Sequence, residues 1–200
     1  MPVMKDREYR NLTLLKVPGE NREKLIDSDC YVEGYATTFD EPYVLWEYDG
    51  VKYYETISRT ALDGADMSDV ILQYDHEGRV LARVSNKTLG IKPDSAGLFV
   101  YADLSKSKAS QELYEEIGAG LVTKMSWSFR IEEDAYNKTT RTRTIQKISK
   151  VYDVSAVSYP ANDSTHIAAR SYVDGVIDVE RREALARQSR LLRIKILTEA

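Results

Sequence analysis

Cysteine is almost missing from this sequence: Cys30 stands alone among 200 residues, so no internal disulfide can form. With only two histidines beside it, neither a CxxC pair nor a Cys/His cluster is available for structural zinc. A reducing cytoplasm is the expected setting, and no metal or other cofactor is expected. Long apolar runs are missing as well. No window approaches the roughly 18 apolar residues of a membrane span, and MPVMKDREYRNLTLLKV carries charge throughout where an export signal has its apolar stretch. The expectation is a soluble, unexported protein that needs no membrane. Nor is one charge in large excess: 28 basic against 32 acidic residues leave a net −4, which gives no general attraction to nucleic acid. A P-loop, a GxGxxG after a strand, an HExxH and a GxSxG elbow are all absent, and with them the chemistries they carry.

What the sequence does contain is strand-forming residues in short runs. Residues 1–30 are polar apart from Leu12, Leu14, Leu15 and Val17, which suit a strand. From Tyr31 onward YVEGYATTF, YVLWEY and VKYYETI are rich in Tyr, Val, Thr and Trp, and Asp49-Gly50 is the pair that a type I′ hairpin turn requires. Further runs at 69–75, 79–84, 87–93 and 97–104 are separated by HEG, SN and PDSAG. A helix is expected within SKASQELYEEIGAG, with Ser107 or Ser110 as cap, Leu113 and Ile117 on one face, and Gly118 and Gly120 as a stop. VTKMSWSFRI, a polar loop at EEDAYNKTTRTR and a long strand TIQKISKVYDVSAVSY ended by Pro160 complete the pattern. The expected class is α+β, mainly β, with a closed antiparallel β-barrel core and flanking helices. After it, VIDVERREALARQSRLLRIKIL holds Arg181, Arg182, Arg187, Arg190, Arg193 and Lys195 and is expected to form a basic helix. That helix either packs on its own domain or docks on an acidic partner.

Candidate chemistry begins with the histidines, since a neutral imidazole is the usual general base near neutral pH. His76 lies in DHEG, at a strand end before a turn, and His166 lies in NDSTHIAAR. In VTKMSWSFRI, strand alternation puts Thr123, Met125, Trp127, Phe129 and Ile131 on a core face. Ser126 and Ser128 share the opposite face with Lys124 and Arg130, so periodicity makes the serines neighbours without choosing between them. The alternative is a half-solvated sheet face with small hydroxyls. Lys124 suits activation of a serine only if it is desolvated beside it. Asp153 sits in an apolar run, where a buried carboxylate needs a cation or a histidine as partner.

Taken in order, EGYATTFDEPY, ETISRTAL, QYDHEGRVLARV, KTLGIKPDSAGLFVYADL, KMSWSFRI and YDVSAVSYPAND with HIAARS closely resemble the prohead protease family of tailed bacteriophages, relatives in fold of the herpesvirus assemblins. The resemblance runs from about Tyr9 to about Ser171. It implies a serine endopeptidase built on a closed barrel that cuts scaffold and major capsid precursor proteins inside the assembling procapsid, in the host cytoplasm. The family's histidine falls on His76 and its nucleophile on Ser126. Ser128 stands where relatives commonly have Gly, which implies a need for a small residue. The acidic member, usually Glu, falls on Asp153, one methylene shorter. His166 is the alternative third member, by analogy with the herpesvirus enzymes. Arg130, Arg141 and Arg143 are the candidates for oxyanion donors.

On this reading residues 1–172 form the protease domain and 173–200 a basic helical tail. A homo-oligomer is expected, the partners are the capsid precursor and scaffold, and no nucleic acid is required. Cleavage is expected to rise through roughly pH 6 to 7.5, around the ordinary histidine value. Two rivals are a non-catalytic scaffold or assembly chaperone that kept the fold, and a serine hydrolase with another substrate.

Overall fold

The structure, a computed structural model, describes residues 7–16, 24–157 and 163–198, with the side chains of 7–10, 24–157 and 172–191. In chain order they form β1 Arg7–Lys16, β2 Tyr31–Thr38, β3 Tyr43–Tyr48, β4 Val51–Ile57, β5 Ile71–Tyr74, β6 Glu77–Arg83, β7 Leu89–Pro93, β8 Gly97–Asp103, α1 Lys108–Gly118, β9 Lys124–Asn137, β10 Thr142–Val157 and α2 Asp163–Thr198. Asp49 and Gly50 both have positive φ (50° and 72°) and close the β3–β4 hairpin as their sequence requires. Ser107 caps α1 by accepting the Ser110 amide, and Leu113 and Ile117 are its buried face. Pro160 lies outside the described residues.

The strands follow the path β3-β4-β10-β9-β1-β2-β8-β7, with β5 attached to β10 and β6 to β5. The long strand β10 organises the sheet. It runs antiparallel to β9 from Thr142 to Val157, and along its other edge it pairs in parallel first with β4, over Thr142–Ile145, then with β5, over Asp153–Ala156. Register shifts between Ile145 and Asp153 bend it between these two partners.

Two expectations change here. The mainly β, α+β class holds, but a closed antiparallel barrel is not seen. The path is open, since among the described residues its end strands β3 and β7 share no ladder, and the β10 ladders with β4 and β5 are parallel. The polar segment EEDAYN is not a loop but the second half of β9, because Asp134, Ala135, Tyr136 and Asn137 pair with Ile145 to Thr142 and leave residues 138–141 as the turn. Helix α2 runs without interruption through residue 172. Tyr172, Val173 and Val176 pack with Tyr53, against Leu45, Trp46, Val51, Tyr136 and Ile177, so the helix is anchored on the β3–β4 hairpin up to Ile177. From Arg181 to Leu191 it is exposed throughout.

The main core is formed by Met125, Trp127, Phe129 and Ile131 of β9 with Ile148, Val151 and Val154 of β10 and Val32, Leu98, Val100 and Leu72 from the other strands. This is the face that alternation assigned to them.

Candidate active site

The β5–β6 hairpin turns on two residues, Asp75 and His76, both in the left-handed region (φ 47° and 61°). Such a turn favours Gly or Asn, and a histidine there carries local strain. Neighbouring strand contacts hold it: the Asp75 amide donates to the Ala156 carbonyl at 2.9 Å, and the His76 amide to Ser155 Oγ at 3.2 Å. The turn thereby lays the imidazole over β10 and β9. On those strands Ser126 pairs with Ser155, and Ser128 with Asp153. Hydroxyls and carboxylate are thus set side by side by register alone.

His76 Nε2 lies 2.5 Å from Ser126 Oγ, and His76 Nδ1 lies 2.5 Å from Asp153 Oδ1. The three side chains form one continuous line of hydrogen bonds although 77 residues separate His76 from Asp153. Ser126 and Asp153 are fully buried, and the His76 imidazole is 2% exposed. The face expected to be half-solvated is therefore covered around the serines, while Lys124 and Arg130 at its ends are exposed. With Nδ1–H donating to Asp153, Nε2 presents its lone pair to Ser126. The hydroxyl has a second acceptor, the Arg10 carbonyl at 3.0 Å. Its single proton favours the nearer nitrogen.

Asp153 has further partners. Ser155 Oγ donates to Oδ1 at 3.1 Å, and Ser128 Oγ and Arg7 Nη2 both donate to Oδ2. Arg7 also donates to Ser128 Oγ from Nε and Nη2, at 2.9 and 2.7 Å. Ser128 is thus a hydrogen-bonding member of the site and not merely a small residue. Burial first, and then the Arg7 guanidinium, push the His76 imidazole down to about 4, against an upward pull from Asp75. That direction favours the neutral imidazole at neutral pH.

The remaining sequence candidates fall elsewhere. The side chain of His166, on α2, lies outside the described ones. Arg143 is buried with Arg10, Glu8, Glu55 and Asp134 in an ionic cluster: it donates to Glu8 at 3.0 and 3.2 Å, to Glu55 at 3.3 Å and to Asp134 at 2.9 Å. Arg130 stacks on Tyr152, and Arg141 occupies the β9–β10 turn with φ 51°. Arg7, Tyr9 and Ser155 were not singled out from the sequence. Alternation through REYRN does put Arg7 and Tyr9 on the face opposite Glu8 and Arg10, but nothing local says which face meets the serines. Beside the His76 turn, between it and α1, lies an open cleft of about 640 Å³ whose lining includes Tyr74, Asp75, Glu77, Leu81, Glu112 and Glu116.

A search of curated proteins and a search of solved structures returned no match. The model of one family, described as caudovirus prohead serine protease, matches residues 19–176, a stretch that takes in His76, Ser126 and Asp153 and leaves Arg7 outside it. A match over so much of the length shows membership, and the chain belongs to the caudovirus prohead serine protease family.

Proposed function

We propose that this protein is the serine endopeptidase that cleaves scaffold and major capsid precursor proteins, and itself, during phage procapsid maturation, with Ser126 as nucleophile, His76 as general base and Asp153 as the group that orients it. The observation that supports this most is the unbroken Ser126–His76–Asp153 line of hydrogen bonds, in a chain whose family is one of prohead serine proteases.

Ser126 Oγ attacks the scissile carbonyl while its proton passes to His76 Nε2. The imidazolium then gives that proton to the leaving amine, and an acyl-enzyme remains. Water attacks the ester, His76 takes its proton and returns it to Ser126, and the new carboxyl end departs. Asp153 holds the Nδ1–H tautomer throughout and stabilises the transient imidazolium. The cleft beside the His76 turn offers room for substrate side chains, and the exposed basic part of α2 from Arg181 serves as a handle for an acidic scaffold or shell surface.

Co-expression with the capsid precursor, wild type against Ser126→Ala, followed by intact mass of both chains, tests the reading. The wild type should shorten the precursor and itself, and Ser126→Ala should leave both whole. Cleavage that survives the substitution would refute the assignment, and an uncut precursor with wild type would favour the scaffold role instead.

A further inference from the structure

Strand β1 contributes to all three groups of the line: the Arg10 carbonyl lies under Ser126, the Tyr9 ring meets His76 edge-on at 4.7 Å, and Arg7 grips the far side of Asp153. The Arg7 guanidinium is held between two rings, 4.8 Å from the centre of Tyr152 and 5.3 Å from that of Tyr9. Its donors reach Ser128 and Asp153 together. The Arg7 side chain is 38% exposed, yet its charged end meets a carboxylate that has no exposure.

The electrostatic problem at this site is specific. A buried carboxylate needs a positive partner. With His76 as its only candidate the carboxylate would favour an imidazolium, whose Nε2–H is unable to accept the Ser126 proton. Arg7 supplies the cation instead. Among the described residues, the groups that meet the imidazole or act on its charge are Asp153 from β10, Arg7 and Tyr9 from β1, Asp75 of its own hairpin and the neutral Ser126 from β9. Among them Arg7 is the cation bonded to the same carboxylate.

We infer that Arg7 is a positioning residue of the proposed triad: acting through Ser128 and Asp153, it balances the buried carboxylate so that His76 rests neutral, with its lone pair toward Ser126. This rests on the triad reading above. Removing the Arg7 charge acts twice in one direction. It takes a cation away from the imidazole, and it leaves Asp153 free to hold an imidazolium. Both raise the His76 pKa.

The test reads His76 directly, because a chain with two histidines gives two imidazole resonances, and His166→Gln assigns them. In the full-length protein, Arg7→Gln should move the His76 titration midpoint upward by about 1 pH unit, after screening for its partial exposure. Arg7→Lys, which keeps the charge but not the fork, should move it less. On peptide substrate, Arg7→Gln should lower kcat on the order of 10–100-fold with KM nearly constant, the range typical of groups that orient a reacting residue. Should Arg7→Gln fail to fold, Ser128→Ala, which removes the bridging hydroxyl and leaves only the direct Arg7–Asp153 pair, should shift the midpoint in the same direction by less. A midpoint unchanged or lowered in the variants that fold overturns the inference. Cleavage that persists in Ser126→Ala overturns the triad instead, and the titration distinguishes the two.

Discussion

Replacing Glu55 by Gln should be among the most damaging isosteric changes available in this protein. Glu55 is fully buried and receives Arg10 through Nε and Nη2, the latter at 2.8 Å, together with Arg143 Nη1 at 3.3 Å and the Tyr43 hydroxyl. The neighbouring guanidiniums hold its carboxyl below the usual range despite burial, so it is ionised at neutral pH. The amide keeps the shape and removes the charge, and its NH₂ must face at least one donor that had been accepted. Breaking a buried pair in this way costs about 3–5 kcal/mol. For a chain of this size each kcal/mol is worth about 2–4 °C, so a fall in Tm of roughly 10 °C is expected.

The control is Glu132→Gln. It breaks the exposed Lys147 pair, 2.8 Å long, and should cost far less than Glu55→Gln, because water already screens that pair. Urea unfolding at pH 7 measures both. Since the folded state holds Glu55 ionised below its ordinary range, the unfolded state binds more protons in acid. The wild-type advantage is therefore present above the ordinary carboxylate range and lost as pH falls below it. A Glu55→Gln loss under about 1 kcal/mol, or a gap that widens in acid, would refute the account of the cluster.

Three further outcomes are expected. Ser126→Ala should reduce peptide cleavage on the order of 10³-fold or more, and Ser128→Ala far less, since the second hydroxyl bonds Asp153 and Arg7 rather than the imidazole; equal losses in single-turnover assays would undo the distinction. The rising limb of kcat/KM should reflect a His76 pKa of about 4, leaving the rate nearly flat from pH 6 to 7.5, and a midpoint at 6.5 or above would contradict the described burial and the Arg7 charge. Deleting residues from Arg181 onward should spare peptide cleavage while reducing incorporation into procapsids. Deletion from Tyr172 should also lower thermal stability, by uncovering Tyr53, Val51 and Trp46.

Local chemistry carried much of the fold into the sequence. Asp49-Gly50 dictated a turn, Ser107 a helix start, and the apolar residues of β9 a core face, because each depends on neighbours within a few positions. The path of β10 was not legible in the same way. Its change of partner from β4 to β5 depends on bulges and on strands more than 70 residues away in sequence, and the bend replaces the closed barrel that short strands suggest. At the site, Ser126, His76 and Asp153 were named through a resemblance, whereas spacing alone left both serines open. Arg7 escaped notice because an arginine near the start of the chain is ordinary surface charge unless one knows that its partners stand 121 and 146 residues further on. Glu8, Arg10, Glu55 and Arg143 were hidden for a related reason. Charged residues in strands are usually solvent-facing, and only the assembled sheet shows that they bury one another.

The long helix α2 has a mechanical meaning. Anchored up to Ile177 and continuing to Thr198, it extends for roughly 30 Å at the helical rise, a stiff boom rather than a slack leash. A protease moored by the far end of such a boom patrols a shell of nearly fixed radius about its mooring, and which bonds are cut in a crowded interior then depends on where they lie along that arc as well as on their side chains.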